Sequence, residues 1–322
     1  MPTSISTGMS RRAVLTSLSL GALTLVTASN ACQSNNQPRV FGLAANGIDD
    51  PALKQAEATA DSLGKRLDVL TVYDAFVRQA PLPTELLDRI TALGTIPLMT
   101  WEPWNPTDGS TQPLYSAAQI AGGRYDAYVA TWAKQAAAYN RHFLIRFAHE
   151  MNGNWYPWSV GQPGSTPEDY VAAYRRVRRI FDDSGAAQVQ WVWSPNVIIN
   201  GNTEIITRCY PGDDYVDIIG VDGYNFGDDP GHHWRSPSDL FGQTLELVAG
   251  LAPRKPLWIS EVGCSDHGGD KAAWIADLIK FLKSTNVEGL IWFDADKIGE
   301  PDWRLASSPQ NGTAARQALS DW

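Results

Sequence analysis

The sequence predicts an α/β fold built as a single (β/α)8 barrel, and three observations support this. After Pro38, short β-rich apolar runs alternate strictly with longer amphipathic runs, which indicates parallel strands joined by helical crossovers. Eight such units occupy about 280 residues, a length typical of one barrel domain. A doubly wound sheet would usually carry a Gly-rich phosphate-binding turn after its first strand, and Gly42–Gly47 lacks that pattern.

The eight strand candidates are short runs dominated by apolar β-branched, aliphatic and aromatic residues. In chain order they are Val40–Ala45, Leu67–Val72, Ile96–Trp101, Phe143–His149, Val189–Ser194, Val216–Asp222, Leu257–Glu261 and Gly289–Asp294.

The helix candidates lie between these runs, and several have clear start signals. Ser165-Thr166-Pro167-Glu168 places a cap and a proline before an acidic first turn, and Ser236-Pro237 opens another helix in the same way. The predicted helices are Pro51–Lys65, Thr84–Leu93, Tyr125–Tyr139, Pro167–Asp183, Thr203–Cys209, Pro237–Leu251, Lys271–Ser284 and Thr313–Leu319.

The composition excludes several classes of protein. The chain has 322 residues, 26 basic and 35 acidic side chains and a formal charge of −9, which argues against nucleic acid as a partner. Three cysteines are too few for a disulfide scaffold, no Cys/His cluster suggests zinc, and Cys209 and Cys264 are expected to be buried thiols. Thirteen tryptophans exceed ordinary core needs and suit the apolar faces of sugar rings.

The first 31 residues are interpreted as a signal peptide of the twin-arginine type. Arg11 and Arg12 precede an apolar run, 13–28, that is too short to span a bilayer. Cys32 follows small residues and stands where a lipoprotein would carry its lipid, the only membrane contact expected. Residues 32–38 are interpreted as a tether and residues 39–322 as the catalytic domain of an exported protein, expected to be a monomer.

Polar and aromatic residues gather where the predicted strands end, which is where a barrel carries its active site. Glu150 follows strand 4 and Glu261 ends strand 7, at positions where a carboxylate has no packing role. These two strands lie on opposite sides of the barrel mouth. Glycoside hydrolysis needs a pair of carboxylates that face each other across a sugar, so this pair is the candidate catalytic centre.

Three further residues are candidates to support the pair. Arg146 lies on the same side of an ideal strand as Glu150 and needs an acidic partner, either Glu261 or an aspartate that ties the barrel together. His149 either orients a carboxylate or is a core histidine; a metal site there is disfavoured because HExxH is absent. Tyr224 could hold an oxygen of the nucleophile.

Other residues at the strand ends are candidates to contact the sugar, although burial is the default for any single tryptophan. Two or three of the tryptophans are expected to touch substrate. The candidates are Trp101, Glu102, Trp104, Asn152, Trp155, Trp158, Asn196, Trp292 and Asp294.

The segment 146–158, RFAHEMNGNWYPW, resembles glycoside hydrolase family 26, which includes β-mannanases and endo-β-1,3-1,4-glucanases. The resemblance extends to Asp222-Gly-Tyr224, to Ile259-Ser-Glu261-Val-Gly263 and to Asp302-Trp303-Arg304. It implies a (β/α)8 barrel, a double-displacement retaining mechanism, and no metal or organic cofactor.

The same resemblance implies individual roles. Glu150 corresponds to the general acid/base and Glu261 to the nucleophile, with Arg146 and Tyr224 in contact with that nucleophile. Trp155 corresponds to the tryptophan five residues after the acid/base.

One departure concerns the end of strand 3, where mannanases of the family usually carry a histidine that helps bind mannose. Here residues 100–104 read TWEPW, which is similar to the glucanase-like branch. The sequence therefore predicts hydrolysis of a β-linked polysaccharide, first of all a 1,3-1,4- or 1,4-linked β-glucan, with endo-β-1,4-mannanase as the alternative. A protein of another class, a glycan-binding or exopolysaccharide-assembly lipoprotein, would not need both glutamates.

Overall fold

The computed structural model describes residues 39–45, 47 and 50–322, with only the backbone of Asp50. The predicted signal peptide, the lipid site at Cys32 and the tether lie outside these residues and stay predictions.

Eight parallel strands form a closed barrel in chain order, with the first strand also paired to the last, so the predicted fold class is confirmed. The strands are β1 Val40–Ala44, β2 Val69–Ala75, β3 Ile96–Glu102, β4 Phe143–Phe147, β5 Val189–Trp193, β6 Ile218–Asn225, β7 Leu257–Cys264 and β8 Val287–Phe293.

Helices cover the outside of this barrel. Within the described residues there are also two short 3-10 helices, Phe76–Arg78 and Pro113–Tyr115. All eight predicted helices are present. The helix Ala117–Ala121 was not predicted, and the last helix begins at Pro309 instead of Thr313 because Ser308 caps it. The helices are α1 Asp50–Leu63, α2 Thr84–Ala92, α3 Ala117–Ala121, α4 Asp126–Tyr139, α5 Pro167–Asp183, α6 Glu204–Arg208, α7 Pro237–Leu251, α8 Lys271–Lys283 and α9 Pro309–Leu319.

Apolar side chains form two layers, one inside the barrel and one between the strands and the helices. The inner layer includes Val69, Leu98, Leu144 and Ile291 from four different strands. Successive side chains of a strand point to opposite faces, so the neighbours of inner residues enter the outer layer, as Trp101 does. This alternation decides which residues near a strand end can reach the barrel mouth.

Strand β4 ends at Phe147, two residues earlier than predicted. Ala148 and Glu150 have positive φ angles of 46° and 54°, a left-handed conformation that cannot continue a strand. The carbonyl groups released by this turn have partners: the Tyr170 hydroxyl donates to Ala148 at 3.1 Å, and the Trp158 indole donates to the carbonyl of His149 at 2.6 Å. The turn is therefore held in place from both sides.

Cys209 and Cys264 are buried free thiols, as expected. None of the helices in the described part of the chain combines the length and the apolar character needed to cross a bilayer.

Candidate active site

A cleft of about 960 Å³ opens at the carboxyl ends of the strands. Its size suits a ligand of several rings. Side chains from six strands or the turns after them line its floor: Tyr73, Glu102, Glu150, Asn196, Tyr224 and Glu261.

Glu261 is buried and accepts hydrogen bonds from three side chains. The Tyr73 hydroxyl donates to Oε2 at 2.7 Å, the Tyr224 hydroxyl donates to Oε1, and the Arg146 guanidinium donates to Oε2. Burial alone would raise the pKa of this carboxyl, but the positive charge of Arg146 and the hydrogen bonds from Arg146 and Tyr224 lower it to about 2. Glu261 is therefore ionised throughout the ordinary pH range.

Arg146 is fully buried inside the barrel and binds two carboxylates at once. Its Nη1 atom donates to both oxygens of Asp222 at 3.0 Å, and its Nη2 atom donates to Glu261. Its Nε atom donates to the hydroxyl of Thr100 at 3.0 Å. The two partners that the sequence left open, Glu261 and a tying aspartate, are thus both present.

Glu150 is also buried, and its carboxyl accepts two hydrogen bonds from uncharged groups. The Trp155 indole donates to Oε2 at 2.6 Å and the Asn196 amide to Oε1 at 2.8 Å. Burial, and then the negative charge of Glu261, raise the pKa of Glu150 to about 7, because no cation is bonded to this carboxyl. Glu150 therefore holds its proton in acidic solution while Glu261 does not.

Asn152 acts on this carboxyl through Asn196 and does not line the cleft itself. It exchanges two hydrogen bonds of 2.8 Å with the backbone of Asn196, and so orients the amide that donates to Glu150. Its side chain is buried in this bridge and is not part of the cleft lining, so the structure gives Asn152 a positioning role, and a direct contact with sugar stays a prediction.

His149 is buried and contacts the hydroxyl of Tyr156 through Nε2 at 3.1 Å, not a carboxylate. One of its ring nitrogens lies within 4.8 Å of a carboxylate oxygen of Asp222 and of Glu261, a cluster of metal-ligand type. Arg146 already donates to both carboxylates and supplies the positive charge that a metal ion would bring. The donor set therefore fits an arginine-centred network better than a cation site.

Three predicted sugar platforms, Trp101, Trp158 and Trp292, lie in the core and not in the cleft. Trp101 stacks on Trp132 at 4.2 Å between ring centroids, and the Trp292 indole donates to the carbonyl of Trp303 at 2.6 Å. Strand alternation turns Trp101 and Trp292 outward, whereas the next residue of each strand faces the cleft. Trp158 instead supports the turn after β4.

Asp294 does not line the cleft either. It accepts hydrogen bonds from the Thr59 hydroxyl at 2.8 Å and from the backbone N–H of Leu305 at 2.7 Å, which join α1 to the segment after β8. It borders a separate cavity of about 320 Å³. The remaining sugar-binding candidates, Glu102, Trp104, Trp155 and Asn196, do line the cleft.

Sequence reasoning missed Tyr73, Phe226, His232, Arg235 and Trp303, which also line the cleft. Tyr73 was missed because the predicted second strand stops at Val72, whereas β2 continues to Ala75. A longer strand would have placed the Tyr73 ring inward by alternation. The other four lie on loops or on the final segment, where no periodic pattern signals them.

The structure is a (β/α)8 barrel with two buried carboxyls in one cleft, one with a raised pKa and one with a lowered pKa. This is the architecture of the glycoside hydrolases that use two carboxyl groups. The sequence profile of glycosyl hydrolase family 26 matches residues 118–252 of the chain, which supports membership of that family.

Two relatives illustrate the likeness. Over 262 residues the chain is 33% identical to Endoglucanase H of Acetivibrio thermocellus, which covers 80% of this chain and 28% of that protein. Over 86 residues it is 34% identical to a mannan endo-1,4-beta-mannosidase of Bacillus subtilis, which covers 25% of this chain and 23% of that protein. The chain thus matches only about a quarter of the length of these curated relatives.

Among solved structures, a family 26 β-mannanase from Bacteroides ovatus superposes with a TM-score of 0.67 at 19% identity, covering 89% of this chain and 90% of that one. The catalytic domain of a Bacillus endo-β-1,4-mannanase gives a TM-score of 0.68 at 17% identity, covering 88% and 86%. At such low identities the likeness is one of fold.

Proposed function

We propose that the protein is a retaining endo-β-glycosidase that cleaves a β-linked polysaccharide in the cleft, with Glu261 as nucleophile and Glu150 as acid/base. The observation that supports the proposal is that the pKa of one carboxyl is raised and the pKa of the other is lowered. Glu261 is held ionised by Arg146, whereas Glu150 is held protonated by burial.

The reaction proceeds in two displacements. The Glu261 carboxylate attacks the anomeric carbon, the glycosidic C–O bond breaks, and Glu150 gives its proton to the departing oxygen. Glu150 then takes a proton from water, and that water cleaves the glycosyl ester on Glu261 with net retention. Tyr73, Tyr224 and Arg146 steady the carboxylate before attack and after release.

β-Glucan is the first proposed substrate, for two reasons. The longer of the two relative alignments above is to a protein named Endoglucanase H. The end of β3, which presents Glu102 to the cleft, lacks the histidine that mannanases of the family usually carry in this region. Mannan is the second candidate, because relatives and structural neighbours named mannanases also match.

A substrate panel tests this proposal. The purified protein would be assayed for reducing sugar and oligosaccharide products on barley β-glucan, lichenan, carboxymethyl cellulose, laminarin, glucomannan and galactomannan. We expect turnover of mixed-linkage glucan; turnover of galactomannan alone would replace glucan by mannan. Binding without turnover on any substrate would favour a glycan-binding protein and contradict the hydrolase proposal.

Two variants test the roles. Glu261→Ala should lose more than about 10³-fold in kcat, because it removes the attacking group, and azide should restore turnover with inverted product. Glu150→Gln should slow turnover most on substrates with poor leaving groups. Glu85→Gln, an exposed carboxylate on α2, is the control for loss of one negative charge. Wild-type activity in Glu261→Ala would refute the assignment.

A further inference from the structure

The cleft extends beyond the two glutamates along a row of rings on the segment after β6. The row begins at Tyr224, whose hydroxyl donates to Glu261. The Phe226 ring follows at 5.9 Å between centroids, and the His232 ring lies 4.3 Å beyond it with the two planes 20° apart. The row therefore leads outward from the reacting carboxylate to an exposed, flat ring.

This row has a rigid backing. Trp303 is buried and meets the Tyr224 and Phe226 rings edge-on, at 4.9 Å and 5.0 Å between centroids. Phe226 in turn covers one face of His232, which is exposed to solvent and lines the cleft. An exposed ring normally moves, but this one stacks on a neighbour backed by the buried Trp303, while the residue itself stays exposed to solvent.

The backbone that carries these rings is also held. The buried Asn225 accepts hydrogen bonds from the N–H groups of Gly227 at 3.3 Å and Arg235 at 3.1 Å, so one side chain fixes both ends of the loop. The Trp274 indole donates to the carbonyl of Arg235 at 2.7 Å. A Cβ atom at Gly227 would collide with the carbonyl of His267, so the loop lies directly against the segment after β7.

Arg235 brings hydrogen-bond donors to the same place. It is half-buried and lines the cleft, and its Nη2 atom donates to the backbone carbonyl of Asp239. Within the ranges that the structure describes, no carboxylate lies within ion-pair distance of its guanidinium. A guanidinium has five N–H donors, so most of its donors are open to a ligand.

We infer that Phe226, His232 and Arg235 form an outer sugar site, which binds a pyranose of the polysaccharide beyond the one that reacts. The apolar C–H face of a β-linked pyranose stacks on the face of His232 opposite Phe226, and Arg235 donates to its hydroxyls. Because the loop is fixed in advance, little ordering cost is paid when the chain binds. This inference rests on the proposed function, since it assigns a second contact to the same substrate.

Substitution of His232 by Ala tests the outer sugar site, and His233→Ala is the matched control, since His233 is exposed and does not line the cleft. The measurement is kcat/KM on a mixed-linkage glucan hexasaccharide and on mannohexaose, each divided by kcat/KM on an aryl disaccharide with the same sugar. We expect the ratio to fall about tenfold in His232→Ala through KM, the scale of one lost stacking face. The ratio should not change in His233→Ala.

An unchanged ratio in His232→Ala, or an equal fall in His233→Ala, would overturn the inference. If the wild-type protein cleaves neither sugar, the proposed function has failed, and the outer site is then judged by calorimetry. In that case, about tenfold weaker hexasaccharide binding by His232→Ala supports it. Equal affinity of wild type and variant, or no binding by the wild type, refutes it.

Discussion

The hydrogen-bond donors around Glu150 and Glu261 decide which carboxyl keeps its proton. Glu261 has a charged donor, Arg146, and two phenolic donors, whereas Glu150 has only an indole and an amide. At Glu261 the bonded cation outweighs the cost of desolvation, whereas at Glu150 the two neutral donors do not. The two roles therefore follow from neighbours that lie far away in sequence.

The pH profile should report this difference. The proposed mechanism needs Glu261 ionised and Glu150 protonated, so kcat/KM should fall as pH rises through about 7, and on the acid side only as pH approaches about 2. Trp155→Phe removes a donor that favours the ionised form of Glu150. The pKa of Glu150 should rise, and the descending limb should move to higher pH.

A second carboxyl with a pKa of about 7, Glu102, makes a control necessary. Glu102→Gln should keep the descending limb, because Glu150 still titrates. If the descending limb of the pH profile disappears in Glu102→Gln, or does not move in Trp155→Phe, then Glu150 is not the group whose titration produces that limb.

At the scale of the element, the turn after β4 orients Glu150, the proposed acid/base. Left-handed Ala148 and Glu150 end the strand and bring the Glu150 carboxyl to the Trp155 indole. Such conformations cost non-glycine residues about 1–3 kcal/mol each. The turn is held by tertiary bonds from Trp158 and Tyr170, which offset this cost.

Gly153 is the vulnerable position in this turn. A Cβ atom there would lie 2.5 Å from the Trp155 ring, so Gly153→Ala should displace that ring and lower kcat/KM by about tenfold, the scale of one hydrogen bond. Kinetics together with a thermal melt would measure this.

The control for the added methyl group is Gly242→Ala, within α7, where a Cβ atom meets nothing within 4 Å. It should keep full activity and gain up to about 1 kcal/mol, because alanine favours a helix over glycine. Full activity in Gly153→Ala would contradict the proposed role of Trp155.

At the scale of the whole molecule, one buried arginine joins four strands through the barrel interior. Arg146 on β4 contacts Thr100 on β3, Asp222 on β6 and Glu261 on β7. The Ser260 hydroxyl donates to Asp222 at 2.7 Å and completes its shell. The network that holds Glu261, the proposed nucleophile, is thus also part of the barrel core.

Asp222→Ala should therefore destabilise the fold by about 3–5 kcal/mol, because it leaves a buried guanidinium half-paired. Urea unfolding measures this. Asp126→Ala is the control: Asp126 pairs with Arg176 on the surface, and its loss should cost about 0–1 kcal/mol. Equal losses in the two variants would show that the buried network contributes no more than a surface pair.

The sequence by itself determined the barrel, the order of its strands and the helices between them, because alternation of apolar runs is a local and periodic signal. It also singled out Glu150 and Glu261, because a strand end is recognisable and a carboxylate there has no packing role. The motif around Glu150 identified the family for the same reason: its residues are contiguous.

Only the tertiary structure decided which aromatic rings face the cleft. Trp101 and Trp292 lie at the ends of apolar runs like the other candidates, yet strand alternation turns both outward. A slip of one residue in strand register would reverse that outcome. Tyr73, Phe226 and His232 reach the cleft through register and loop paths fixed by distant partners. Contacts between residues far apart in the chain leave no periodic trace, so they became visible only in the folded barrel.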